Sequence, residues 1–266
     1  MIARWSEGIA DANMAEDILV KLRALVERHP WWWARTRLTL ELLGQLGVRP
    51  PARVLDVGCG WGITLDALEH QGYRAVGADI SRRALESIDR PGRELAEFDL
   101  TKALPAEVGS FDAVLALDVI EHLDDDRDAV GRLGALVEPG GVAVVSVPAL
   151  PDFFTEFDEV QGHRRRYLPE TLRSAFRGSG LEVERVFWWG SWMVPMLRLQ
   201  RGRARPGKVA GESADDVYRH YLKTPPWPAP LLFKAAFEME RGRALAGKLS
   251  TGTSLFAVAR RPAAAG

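Results

Sequence analysis

Val54-Leu55-Asp56-Val57-Gly58-Cys59-Gly60-Trp61-Gly62 decides how this chain is read. An apolar run ends in an acid and then in three glycines at alternate positions. A buried strand therefore delivers backbone into a tight turn that something approaches closely, and glycine permits both. The pattern is Asp-x-Gly-x-Gly-x-Gly. Ile63 stands where the dinucleotide fingerprint Gly-x-Gly-x-x-Gly would place its third glycine. About 20 residues on, Val76-Gly77-Ala78-Asp79 ends a second apolar run in a carboxylate, the spacing of a ribose-binding acid.

Outward from this turn, short β-rich runs alternate with helical patterns. Val54–Val57, Arg74–Ala78, Leu95–Phe98, Phe111–Leu117 and Val142–Val147 read as strands. Ile63–His70, Arg82–Ile88 and Arg127–Val137 read as helices between them. The alternation predicts βαβ units and a parallel sheet. Ahead of it, Ala10–Arg28 and Leu38–Leu46 carry apolar residues at helical spacing, separated by His29-Pro30-Trp31-Trp32-Trp33. Beyond Pro148, Pro169–Arg177 reads as a helix, Leu181–Phe187 as a strand, Leu231–Leu245 as a helix and Thr253–Arg260 as a last strand. Arg198–Lys208 reads as a basic surface loop and Pro262–Gly266 as a frayed tail. The division expected is one domain over 1–266. Residues 1–49 form a helical cap, 50–150 the core, and 151–266 a substrate-side loop, an insertion and the final strands.

Composition narrows the class. The chain has 266 residues, 47% of them hydrophobic, and a formal net charge of −1. That length supports one large α/β core, and near-neutral charge argues against a nucleic-acid partner. One cysteine excludes an internal disulfide and any multi-cysteine metal site and fits a reducing cytoplasm. The first residues show no basic-then-apolar leader pattern, and no run reaches the roughly 18 apolar residues of a spanning helix. A cytoplasmic location is expected.

Three more features discriminate between the ligands that a glycine turn and a ribose acid can serve, NAD and S-adenosylmethionine. Phe98-Asp99-Leu100 follows the third strand, where an acid can meet the exocyclic amine of adenine. Phe111–Leu117 runs into a polar tip at Asp118, and Pro139-Gly140-Gly141 precedes the fifth strand. With Val54–Gly62, Gly77–Ser81, Phe98–Leu100, Phe111–Leu123 and Glu138–Pro148 in this order, the chain resembles the class I S-adenosylmethionine-dependent methyltransferases over roughly residues 50–150. The resemblance implies a Rossmann-like, seven-stranded, mostly parallel α/β sheet with helices on both faces. The last strand is antiparallel, and here a helical insertion precedes it. The entry His29–Arg37 looks like that of the bacterial methyltransferases related to the ubiquinone O-methyltransferases.

Residue by residue, the resemblance implies that Gly58, Cys59, Gly60 and Gly62 line the methionine part of S-adenosylmethionine and that Asp56 orders the turn. Asp79 would bind the ribose with Ile80 against adenine, Asp99 would take the adenine amine with Leu100 beside it, and Leu117 would contact the cofactor. An arginine ahead of the first strand would reach the cofactor carboxylate, with Arg37 the candidate and Arg35 the alternative. The partner implied is a small-molecule acceptor, methylated at a hydroxyl oxygen of a sugar, lipid-linked compound or secondary metabolite. N- or C-methylation, an NAD-dependent oxidoreductase and cofactor binding without catalysis remain the alternatives.

Methyl transfer to a hydroxyl benefits from a general base titrating near neutrality, which points to histidine. His122, in Asp118-Val119-Ile120-Glu121-His122, follows the fourth strand, and His163 follows the fifth on the ligand side of the sheet. Both are catalytic candidates, each with an ordinary role in ordering its loop as the alternative. Arg164-Arg165-Arg166 either holds an anionic substrate or is a charge run paired with nearby acids such as Asp158. Asp124-Asp125-Asp126 reads as a helix opening and not as a magnesium site, so no metal is expected. Trp188, Trp189, Trp192 and Met193 are candidates for an apolar lid, core, or contact with a membrane or another subunit.

Overall fold

The computed structural model describes residues 1–7, 16–105, 108–201, 217–218, 222–223 and 226–263. In chain order its strands are β1 (Ala3–Arg4), β2 (Arg53–Val57), β3 (Arg74–Asp79), β4 (Glu94–Glu97), β5 (Phe111–Leu117), β6 (Val137–Pro148), β7 (Glu182–Trp189) and β8 (Ser254–Arg260). They form one sheet in the order β1-β4-β3-β2-β5-β6-β8-β7. All neighbours pair in parallel except β8, which is antiparallel to both β6 and β7. The strand order reverses at β2, so the crevice for a ligand lies beyond the C-terminal ends of β2, β3 and β5.

The helices α1 (Glu16–Arg28), α2 (Pro30–Gln45), α3 (Ile63–His70), α4 (Arg82–Ile88), α5 (Asp126–Leu136), α6 (Glu156–Gln161), α7 (Pro169–Ala175), α8 (Met193–Arg201) and α9 (Ala229–Leu245) surround the sheet. Strand alternation divides the core in two. Val114 and Ala116 of β5, with Val145 of β6 and Ala257 of β8, join Leu133 of α5 and Leu172 of α7 on one face. Leu115, Val144 and Phe256 join Leu38 and Leu42 of α2, Leu65 of α3 and Phe237 of α9 on the other. Both faces are buried, which is why these strands read as near-continuous apolar runs.

The sheet has eight described strands, one more than expected. The addition is β1, paired with the edge strand β4. It is held there by Trp5, whose ring meets Phe98 at 5.9 Å and Phe111 at 6.5 Å, and by Ser6, whose hydroxyl accepts from the Asp99 N–H at 3.1 Å. Two residues carry no periodicity, so only the tertiary contact shows this strand. The helix expected over Leu38–Leu46 begins earlier, at Pro30. His29 is its N-cap, with Nδ1 accepting from the Trp31 N–H, and Pro30 occupies the first turn. The tryptophan triplet is therefore helical, and Trp189 lies in β7, buried against Trp31 and Phe237. The expected helix segment at 10–15, the part of the basic loop at 202–208 and the tail end at 264–266 lie outside the described residues.

The glycine turn is the close approach the sequence implied. Gly58 has φ +71° and a Cβ there would fall 2.5 Å from Val119 Cγ2. Gly131, inside α5, has nothing within 4 Å of that position. Gly58→Ala should lower stability by about 1–3 kcal/mol through strain and overpacking. Gly131→Ala should raise it by roughly 0.5–1 kcal/mol through helix propensity. Denaturant unfolding of the two variants checks both signs.

Candidate active site

The turn after β2 is tied to the end of β3. The N–H groups of Gly58 and Cys59 donate to the Ala78 carbonyl at 2.7 and 3.1 Å. The Asp79 carboxylate accepts from the Gly60 N–H through Oδ2 and from the Ser81 N–H through Oδ1, each at 2.8 Å. Beside this junction opens a cavity of about 840 Å³, large enough for a cofactor and an acceptor together.

Of the residues singled out from sequence, Asp56, Gly58, Cys59, Gly60, Asp79, Ile80, Asp99, Leu100, Leu117, His122 and His163 all line this cavity. Gly62 does not. It is the left-handed N-cap of α3, and a Cβ there would meet Ile88 at 3.1 Å, so its place is turn geometry and packing on α4. Arg37 does not line the cavity either. It pairs with Glu238 of α9 at 2.8 Å and lies over the Trp33 ring. Arg35 is the arginine of the two that lines the cavity. Residues two apart on a helix lie about 200° apart around its axis, so the two could not share a face.

Arg35 sits over the Trp31 ring, donates to the Leu117 carbonyl and forms an ion pair with Asp118. Its buried Nε has no hydrogen-bond partner. Asp118, at the tip of β5, has φ +60° and also accepts from the Ser146 hydroxyl at 3.1 Å. At the far end, Asp99 Oδ1 accepts from the Thr101 N–H and hydroxyl, while Oδ2 is buried without a partner.

The electrostatics are dominated by buried acids. Burial, eased by Arg35 and reinforced by Asp79, raises the Asp56 carboxyl to a pKa of about 7. Burial, then the charge of Asp118, pushes the Glu121 carboxyl well above the carboxylate range. Glu121 is fully buried and neither of its oxygens has a partner. Burial and then His163 lower His122 to about 4, so its ring is neutral at physiological pH.

His122 and His163 meet edge to face, with ring centroids 4.8 Å apart. His163 Nδ1 lies 2.8 Å from Oδ1 of Asp158, a fully buried acid that sequence inspection treated only as a partner for the arginine run. Donor atoms of Glu121, His122 and His163 come within 4.8 Å of one another, so the loop after β5 and the segment after β6 meet at these three side chains. The arginine run is used by the protein itself. Arg164 pairs with Asp124, Arg165 with Asp126 and Arg166 with Asp158, the pairing expected as the alternative to a substrate-anion site. Asp125 caps α5, as expected for an acidic helix opening.

The other half of the cavity is apolar. Trp31 and Trp32 of α2, Trp192 beyond β7, Met193 and Met196 of α8, and Phe233 and Phe237 of α9 line it. Trp192 packs on Phe233 and Phe237 with centroids 5.2 and 5.0 Å apart. Glu240 of α9 fixes the start of this wall by accepting from the Gly190 and Trp192 N–H groups at 2.6 and 3.1 Å.

A sheet reversed at β2, a glycine turn, and acids ending β3 and following β4 define the class I methyltransferase architecture. Residues 31–186 match the model of a methyltransferase domain, and the chain belongs to that family. Among curated proteins it is 33% identical over 128 residues to the ubiquinone biosynthesis O-methyltransferase of Ralstonia nicotianae, covering 42% of this chain and 54% of that protein. It is 32% identical over 146 residues to the enzyme of the same name from Bordetella avium, covering 48% and 59%. The chain thus spans little more than half the length of these relatives. A S-adenosylmethionine-dependent methyltransferase from Archaeoglobus fulgidus shares the fold at a TM-score of 0.54 and 19% identity, over 90% of this chain and 94% of that one.

Asp56 yields a pH prediction. Its folded pKa is above its unfolded one, so the folded state binds more protons between about pH 4 and 7. Its burial therefore costs stability progressively as pH rises through that window, up to about 4 kcal/mol above it. Asp56→Asn should gain on the parent from pH 4 to 7 and hold that gain at pH 8. Urea midpoints across pH check this.

Proposed function

We propose that this protein moves the methyl group of S-adenosylmethionine to a hydroxyl oxygen of a largely apolar small molecule. One observation carries the reading: a single cavity runs from the partnerless Asp99 Oδ2, past the glycine turn, to an aromatic chamber, with His163 among its lining residues. An adenine amine directed at Asp99 Oδ2 satisfies a buried acceptor that is otherwise costly. Asp79 takes the ribose, Ile80 and Leu100 flank adenine, and Gly58, Cys59 and Gly60 let the methionine part pass close to backbone. Arg35 replaces Arg37 as the partner of the carboxylate. Asp56 and Leu117 complete that wall.

When bound, the cofactor supplies an electrophilic methyl group on a sulfonium. His163 would take the acceptor's O–H proton as the methyl group is transferred and then pass that proton to water. His122 is neutral and buried, so it orders the loop and packs His163. An amine acceptor needs no base, and a histidine held by a carboxylate favours the hydroxyl reading. The aromatic chamber, with exposed Leu231 and Leu232 next to Phe233 on α9, favours a lipid-linked or similarly apolar acceptor. No described helix is long and apolar enough to cross a membrane. A cytoplasmic location fits the single buried cysteine.

Asp99→Ala should weaken S-adenosylmethionine binding roughly 5- to 100-fold, the range of a buried hydrogen bond lost. Arg37→Ala should leave it unchanged. Isothermal titration measures both. Incubation with methyl-labelled cofactor and a panel of alkyl catechols, phenols and amines tests the reaction itself. Label appearing only on nitrogen would refute the hydroxyl assignment.

A further inference from the structure

We infer that Asp158 is a positioning residue which, clamped by Arg166 and Thr155, fixes the tautomer of His163 and aims its Nε2 lone pair at the acceptor. This deepens the reading of His163 as the base and rests on it for its catalytic consequence, though not for its geometry.

Asp158 is fully buried on α6 and accepts from every side. Oδ1 receives Arg166 Nε at 2.8 Å and faces His163 Nδ1 at 2.8 Å. Oδ2 receives Arg166 Nη2 at 2.8 Å, the Thr155 N–H at 2.8 Å and the Thr155 hydroxyl at 3.1 Å. Five contacts exhaust the acceptor sites of one carboxylate. A bidentate guanidinium and the Thr155 N–H donate to both oxygens, the pairing of an ionised carboxylate. An ionised carboxylate has no proton to give, so His163 Nδ1 must be the donor. In the neutral ring Nε2 is then the unprotonated nitrogen, the form a general base requires.

The surroundings make this a rigid platform. Arg166 Nη1 also reaches the Ala149 carbonyl at 3.3 Å. The Arg164 N–H donates to the Glu121 carbonyl at 2.7 Å, and Tyr167 bridges to Ala149 at the end of β6. The Tyr167 hydroxyl donates to Asp126 at 2.9 Å. A capping role for Asp158 at the start of α6 explains the Thr155 contacts. It leaves the bidentate Arg166 and the histidine unexplained. Asp158 itself does not line the cavity, whereas His163 and Arg166 do.

The test is nitrogen NMR of the full chain labelled at histidine, which reads the tautomer without an acceptor. The parent should show His163 protonated at Nδ1 and bare at Nε2. Asp158→Asn should convert it to a mixture. Asp158→Ala with Arg166→Met, which removes both buried charges together and spares the fold an orphaned arginine, should shift it to the Nε2–H form. A parent already in the Nε2–H form, or an Nδ1–H form that persists in the double variant, overturns the inference. With an alkyl catechol as the hydroxyl probe, Asp158→Asn should lower kcat at least tenfold and leave cofactor affinity within twofold. Adding His163→Ala to it should cause little further loss. If the tautomer follows Asp158 but His163→Ala alone keeps full turnover, the base reading fails while the positioning stands. If His163→Ala abolishes turnover but the tautomer ignores Asp158, the positioning fails and the base reading stands.

Discussion

The Asp79 carboxylate, gripping the Gly60 and Ser81 N–H groups from the end of β3, is the contact on which the rest of this site depends. It joins the turn after β2 to the turn after β3 across the point where the sheet reverses. Without it the three glycines would have many accessible conformations, since glycine restrains its own backbone least. With it, Gly58, Cys59 and Gly60 present backbone to the cavity in one arrangement. The same acid is then the residue proposed to hold the ribose, so turn order and ligand binding are one device.

Charge distribution follows from that arrangement. Asp56, Asp79, Asp99, Asp118 and Glu121 are gathered around the C-terminal ends of the strands, with Arg35 set among them. Buried acids at close range raise one another and are expensive apart from a positive partner. In the proposed reading, a cofactor carrying an ammonium and a sulfonium would supply positive charge where these acids lie, and its carboxylate would face Arg35. The acid-rich wall therefore suits a cation-bearing ligand better than a pyrophosphate, which would add charge of the same sign.

The insertion between β7 and β8 completes the other half. Within that insertion, α9 packs on α2 and exchanges ion pairs with it through Arg241–Glu41 and Arg37–Glu238. Its Phe233, Phe237 and buried Glu240 hold Trp192 over the chamber. The expected lid tryptophans divide accordingly: Trp189 is core, and Trp192 faces the cavity. The apolar half of the cavity is thus built largely by an element outside the alternating β-α core.

The sequence by itself determined what local periodicity and glycine chemistry encode. The bounds of α3, α4 and β5 coincide with the runs Ile63–His70, Arg82–Ile88 and Phe111–Leu117, because each is a full period bounded by turn residues. The turn, Asp79 and Asp99 were legible for the same reason: their spacing is set by one βαβ unit. Tertiary structure alone placed Arg35 on the cavity and Arg37 against Glu238, since the opposing helix faces are told apart only by what packs on each. It alone added β1, too short for any pattern, and removed Gly62 from the cavity wall. It also brought Asp158, His163 and Arg166 onto one carboxylate and set His163 against His122, forty-one residues earlier. Such meetings depend on how the segment after β6 folds back on the loop after β5, and no spacing within either segment encodes that.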